Sequence, residues 1–266
     1  MPFGLGDGMN DASTGAAPPA DAELSTEDDD AEAAHTPSGK QRSMLPVMIV
    51  LSLASLGFIG YQALNTVAGV RLLLAGNDYN RGLISDYEMD DIYREISALS
   101  LSPNVTGIIA LATVIAFLWF NVRAVSNLRA FSLRHVPASP LGVVLWQFVP
   151  TLNLVKPYSI MMLLWSRSRE HASEPSDPPA LAFWWWITWL AGIAFVSLSR
   201  ILDVTDMENA RGGLVETIPM RALGLATLSS ACLIASTLAM LAITWGLART
   251  QDNIRKGRVA VDLAFA

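Results

Sequence analysis

Four stretches of this chain run for 22 or more positions without a charged residue: 43–70, 96–122, 178–199 and 222–248. They are bounded by Arg42 and Arg71, Glu95 and Arg123, Asp177 and Arg200, and Arg221 and Arg249. A bilayer's hydrocarbon core is about 30 Å thick and takes about 20 helical residues at a rise of about 1.5 Å each. Segments such as MLPVMIVLSLASLGFIGYQAL and LAFWWWITWLAGIAFVSLS are apolar around the whole helix circumference, which marks a membrane span and not an amphipathic surface helix. Composition agrees: 16% of residues are charged, where a soluble domain carries roughly 25%. The expectation is an all-α integral membrane protein with transmembrane helices at about 44–67, 103–122, 180–199 and 223–247. These lie in a membrane domain over 40–258, followed by a C-terminal tail at 259–266.

Residues 1–39 differ from everything after them. They hold nine acids and no Lys or Arg, among Ala, Gly, Ser, Thr and Pro. Such a segment buries too little apolar surface to offset its ordering entropy, so a disordered acidic tail is expected. It has neither the basic start nor the apolar stretch of a signal peptide. GLGDG at 4–8 has no strand before it and no helix after it, which leaves the phosphate-loop reading without its context.

A fifth segment, 140–165, is long enough to span but contains Pro150, Asn153, Lys156 and Pro157. Each proline removes a backbone donor and clashes with the carbonyl four residues earlier. Broken backbone at membrane depth is tolerated only when buried in protein or lining a wet cavity. The segment is therefore either a kinked fifth span or a helix–break–helix that enters and leaves on one side. Charge favours the second. With four spans and a cytoplasmic N-terminus, the inner face holds twelve basic residues and the outer loops six. A full crossing at 140–165 would put Arg167, Arg169 and the basic C-terminal residues on the wrong side of the positive-inside bias. The expected architecture is four spans plus a Pro-broken re-entrant or interfacial hairpin, with five spans as the alternative. Both termini then face the cytoplasm of a bacterial inner membrane. The formal charge of −6 divides into −9 on the tail, +7 on the inner face and −4 outside.

The inner ends of the second and last spans share a pattern. Trp119, Arg123, Asn127 and Arg129 recur 126 positions later as Trp245, Arg249, Asn253 and Arg255. Steps of four keep Trp, Arg and Asn near one helix face, with Trp at headgroup level and Arg beyond it. An internal duplication and the common demands of a cytoplasmic boundary both account for the match. In the outer loop, Ser85 and Glu88 form a capping box before an apolar stripe of Met89, Ile92, Tyr93, Ile96 and Leu99. The nearby acids do not make a calcium loop, because Asp91 and Ser97 stand where such a loop needs glycine and glutamate.

FLWFNVRAVSNLRAF at 117–131, WQFVPTLNLVKPY at 146–158 and MLLW at 162–165 resemble the bacterial membrane family known as domain of unknown function 4328. AFWWWITWL at 182–190 and the end near Arg249 extend the resemblance, which covers about residues 44–256. It implies a multi-span membrane protein and supplies no activity. The specific part is the broken segment, so Trp146, Phe148, Pro150, Asn153, Lys156, Pro157 and Tyr158 form the candidate motif.

Catalytic signatures are absent. The three histidines, His35, His135 and His171, are not paired, and HExxH, CxxC and GxSxG do not occur. No metal, cofactor, catalysis or nucleic-acid binding is expected. Lys156 is the one ionisable residue within an apolar segment, which makes it either a functional group or a lysine that snorkels to the interface. The leading function is a non-enzymatic scaffold or regulator whose basic cytoplasmic face meets anionic headgroups or a protein partner. The alternative is a transporter or channel for a small solute or ion, with its site at 146–158.

Overall fold

The computed structural model describes residues 41–99, 101–131, 139–172, 179–210 and 220–264. Among them it forms eight helices and no strand. In chain order these are α1 (Leu45–Asn80), α2 (Asp86–Leu99), α3 (Pro103–Ala130), α4 (Pro140–Phe148), α5 (Pro150–Asn153), α6 (Lys156–His171), α7 (Ala180–Ala210) and α8 (Met220–Ala264). Four of them, α1, α3, α7 and α8, are long and apolar enough to cross a bilayer. The acidic tail 1–39 lies outside the described residues, as does most of the Pro-rich linker before α7.

Local chemistry sets the helix starts. Ser102 and Ser139 accept hydrogen bonds from the backbone of Val105 and Gly142, at 3.4 and 2.8 Å, with Pro103 and Pro140 as the first helical residues. α1 continues past the apolar run to Asn80 and is followed by a turn in which Gly82 has φ 71°, a conformation that favours glycine. The capping box forms as expected. The Ser85 N–H donates to Glu88 Oε2 at 2.8 Å, the Glu88 N–H to Ser85 Oγ at 3.4 Å, and the bond from Ser85 holds the Glu88 carboxyl below its ordinary range. Buried Met89 and Ile96 dock α2 on α1. The bidentate Arg71–Glu95 pair, half exposed on both sides, adds little.

α8 packs antiparallel to both α7 and α1, and the packing runs in steps of seven. On the α7–α8 seam, Ser199 donates to the Ala222 carbonyl, Ser229 to the Gly192 carbonyl and Ser236 to the Trp185 carbonyl, at 2.8, 2.8 and 3.1 Å. Seven-residue spacing on both helices is the left-handed coiled-coil geometry, and small residues let the backbones approach. A Cβ on Gly192 would sit 2.9 Å from the Leu233 side chain, so this position is closed to larger residues. α1 faces α8 in the same way through Met48, Ser55, Gln62, Gly69 and Gly76, all buried and seven residues apart. There a Cβ on Gly69 would collide with the Thr227 hydroxyl.

α8 is the central element, contacting α1, α3, α6 and α7. It runs 45 residues, or about 67 Å, more than twice the hydrocarbon thickness. It continues unbroken through 259–264, the stretch set apart above as a C-terminal tail. The buried core concentrates where Met48 and Leu51 of α1, Phe120 and Leu128 of α3, Met161 and Leu164 of α6, and Ile243 and Leu247 of α8 meet. This is the half of the bundle toward Arg42, Arg123, Arg167 and Arg249, called the basic end below.

Candidate functional site

The prolines of the fifth segment start helices; they do not kink one through-going helix. Pro150 opens α5, after Val149 has turned to extended backbone at φ −90°, ψ 112°. Pro157 is the second residue of α6. Both occupy first-turn positions, where the missing N–H leaves nothing unpaired. α6 then runs beside α8 in the same direction. A Cβ on Gly246 would meet the Trp165 ring at 3.2 Å, and Gln251 Nε2 donates to Ser168 Oγ at 3.1 Å. At the basic end the Phe131 and His171 rings stack at 5.4 Å, so α3 and α6 finish together. The other end of α6 lies inside the bundle, where Pro157 shares a cavity with Met240. From Met240 to Gln251 is 11 residues, as from Pro157 to Ser168, which sets the break about 16 Å in from the Ser168–Gln251 bond at the basic end.

The candidate motif divides around this break. Lys156 Nζ lies 4.9 Å from the centroid of the Trp146 ring and thereby links α6 to α4 across α5. Tyr158 is half-buried with its ring 6.5 Å from that of Trp186. Phe148, Asn153 and Pro157 line the cavity. The outer surface of the break is apolar and exposed, with Phe148 at 71%, Val155 at 59% and Leu154 at 53%.

The cavity has a volume of about 290 Å³. Every helix but α2 contributes to its wall: Phe58 from α1, Thr113 and Phe117 from α3, the break residues with Gln147, three tryptophans of α7, and Ser236, Thr237 and Met240 of α8. Among the described residues no ionisable side chain lines it. The hydroxyls present are used by the helices: Thr113 donates to the Ala54 carbonyl, Ser236 to that of Trp185 and Thr237 to that of Leu233, at 3.1, 3.1 and 2.8 Å. The carboxamides of Gln147 and Asn153 make no hydrogen bond to another described residue. The chamber is thus an aromatic pocket with two unengaged carboxamides. The tryptophan cluster of α7 splits by helix face. Trp184 is 58% exposed, whereas Trp185 and Trp186 are buried, and Trp186 stacks on Trp189 at 4.8 Å.

At the basic end the two matching sequence patterns do different things. Asn127, 3% exposed, accepts the Arg42 N–H at 3.1 Å and donates to the Arg42 carbonyl at 2.9 Å and to Gln251 Oε1 at 3.3 Å. Gln251, 1% exposed, donates in turn to Ser168 and, at 3.3 Å, to the Ala124 carbonyl. Arg123 donates to the Ser43 carbonyl at 3.3 Å, and Asp252 accepts the Met44 N–H at 3.2 Å. The chain entering α1 is therefore clasped by α3 and α8 at three successive residues. On α8, Asn253 is exposed, Arg249 stacks on Trp245 at 5.8 Å, and Arg255 pairs with Asp252 at 3.5 Å. Trp245 donates to Ser52 Oγ at 3.2 Å, while Trp119 and Arg129 are exposed. The buried partner of Asn127 is thus Gln251, two residues before the one that the repeat singles out. Gln251, Ser168 and Asp252 carry no motif; the available signal was a polar residue on the one α8 face that stays buried beyond the apolar run.

Against known proteins, no curated sequence and no solved structure matches this chain. One family model does, over residues 97–249, from the last turns of α2 to Arg249 of α8, and so takes in the broken helix and all of the cavity wall except α1. That match covers more than half of the chain, which therefore belongs to the family described as Domain of unknown function (DUF4328).

Proposed function

We propose that this chain is a non-enzymatic, multi-pass protein of the bacterial inner membrane whose chamber at the broken helix holds a small, largely apolar molecule. One observation carries the reading: a cavity of about 290 Å³ at the tip of the broken element, aromatic, uncharged and furnished with the free carboxamides of Gln147 and Asn153. Ligand pockets begin at about 300 Å³, which fits a compact molecule and not a two-chain lipid. Its one polar group, a carbonyl, hydroxyl or amide, would meet the carboxamides while its body packs on Trp185, Trp186 and Phe117. An uncharged wall speaks against an ion or proton path, so of the transport alternatives the small-solute form is retained.

In this reading α4–α6 is a re-entrant hairpin that dips in from the cytoplasmic side and returns, with both chain termini on that side. Support comes from the exposed apolar tip, from the shared end of α3 and α6, and from the basic residues gathered there. A second reading has a specific observation behind it. α8 continues from Arg249 to Ala264, beyond its apolar run, and offers a basic helix to a cytoplasmic protein partner. There the protein acts as a scaffold or regulator.

Two experiments test the proposal. The full chain in lipid nanodiscs, titrated with 1-aminoanthracene, should show saturable energy transfer from tryptophan. A cavity-filling pair, Ala110→Phe with Thr237→Phe, should weaken it about tenfold or more. Transfer that never saturates, or that survives unchanged in the filled variant, rules the chamber out. A Ser173→Cys substitution in a Cys232→Ser background should label from the cytoplasmic side only. Labelling from outside alone means that α4–α6 crosses, and removes the hairpin.

A further inference from the structure

At the basic end two guanidinium groups have no counter-charge among the described residues. Arg42 and Arg123 lie close enough for the charge of one to act on the other. Among the described residues neither has an acidic partner. Asp252, which accepts the Met44 N–H two residues on from Arg42, is paired with Arg255. Arg123 uses one N–H on the Ser43 carbonyl, and its buried Nε has no hydrogen-bond partner. A guanidinium presents five donors in a fixed fork, so donors outnumber acceptors here by a wide margin.

Two like charges at close range are unfavourable, and the backbones that carry this pair are pinned together. Asn127 holds both the N–H and the carbonyl of Arg42, and Asn127 is itself buried against Gln251. Arg123 stands on α3 one turn from Asn127, and one turn the other way is Trp119, 43% exposed. A tryptophan at the end of an apolar run marks headgroup level, so the two arginines sit where lipid phosphates lie.

We propose that Arg42 and Arg123 form a binding site for the phosphate of an anionic phospholipid headgroup. A phosphate oxygen facing the fork of Arg123 and the free end of Arg42 neutralises both charges, supplies the missing acceptors and closes the clasp from the lipid side. The acyl chains then run along the exposed apolar surface of α3, where Ile108 and Ile115 already face outward. This site is separate from the chamber, and its test is independent of what the chamber binds.

The test uses the full chain in detergent, titrated with phosphatidylglycerol and in parallel with phosphatidylcholine. Retained lipid is read by native mass spectrometry and thermal unfolding by tryptophan fluorescence. The wild-type chain should retain one phosphatidylglycerol in preference to phosphatidylcholine and melt at a higher temperature with it. Arg42→Gln with Arg123→Gln should lower that apparent affinity about thirtyfold, and Arg42→Gln alone about fivefold, whereas Lys256→Gln, exposed at the same end, should leave it unchanged. Should the double variant fail to fold, Arg42→Gln decides, because the clasp uses the backbone of Arg42 and not its side chain. Equal retention of both lipids, or full retention by Arg42→Gln, overturns the site. Inorganic phosphate alone giving the same protection and displacing the lipid overturns the lipid assignment in favour of a soluble phosphate.

Discussion

The ends of α3 and α8 carry one sequence pattern and two different structures. In both, Trp, Arg and Asn recur at steps of four. In α3 the pattern turns inward: Asn127 is buried and holds the chain entering α1, and Arg123 assists it. In α8 it turns outward: Asn253 is exposed, and Arg249 lies on the face of Trp245. The difference comes from the neighbours. α3 presents this face to the chain entering α1, whereas the buried face of α8 at the same level is that of Gln251, shared with α3 and α6. Spacing tells which residues share a face, and only packing tells which face is covered.

Substitutions can break or sharpen this contrast. Asn127→Ala should cost about 2–3 kcal/mol, because it strands the Arg42 N–H, the Arg42 carbonyl and Gln251 Oε1 together. Asn253→Ala should stay within about 0.5 kcal/mol of wild type. Thermal unfolding of both in one lipid or detergent measures this, and equal costs would show the two ends to be equivalent after all. Gln251→Ala should fall somewhat below Asn127→Ala, at about 2 kcal/mol, since it removes three bonds but empties a site near the basic end of the bundle. In a double-mutant cycle with Asn127→Ala the two effects should be far from additive. Trp245→Phe, which deprives Ser52 of a donor, should cost about 0.5–1 kcal/mol, while Trp119→Phe should cost less. Arg249→Gln should have a small effect too, about 0.5 kcal/mol for an exposed cation over a ring, measurable as a slightly lower midpoint.

Much of this molecule could be read before any coordinate. The four apolar runs, the Ser85–Glu88 cap and the break at Pro150 and Pro157 follow from hydropathy, hydrogen-bond chemistry and proline's missing N–H, all of which are local. The polar hub was not legible. Gln251 and Ser168 are ordinary residues until α6 is known to run beside α8, which no local pattern dictates. The serine seam lies between: Ser229 and Ser236, like Gly192 and Ser199, stand seven apart in the sequence, but their pairing needs the antiparallel order of α7 and α8. The cavity is the least legible of all, because it is the space left where seven helices with different directions fail to fill a volume.

The seam has a consequence for how that space could change. Three serine-to-carbonyl bonds at equal intervals act like the teeth of a rack. A slip of α7 along α8 by one residue disengages all three at once, so the pair resists sliding and behaves as one stave. Its residues from Trp185 to Trp189 and from Leu233 to Met240 thus make up the fixed jaw of the chamber. The opposing jaw includes Gln147, Phe148, Asn153 and Pro157, carried on three short helices joined by two breaks. Any gate to the chamber therefore belongs to that jointed side, with its non-helical links, Val149 and the pair Leu154 and Val155, as pivots.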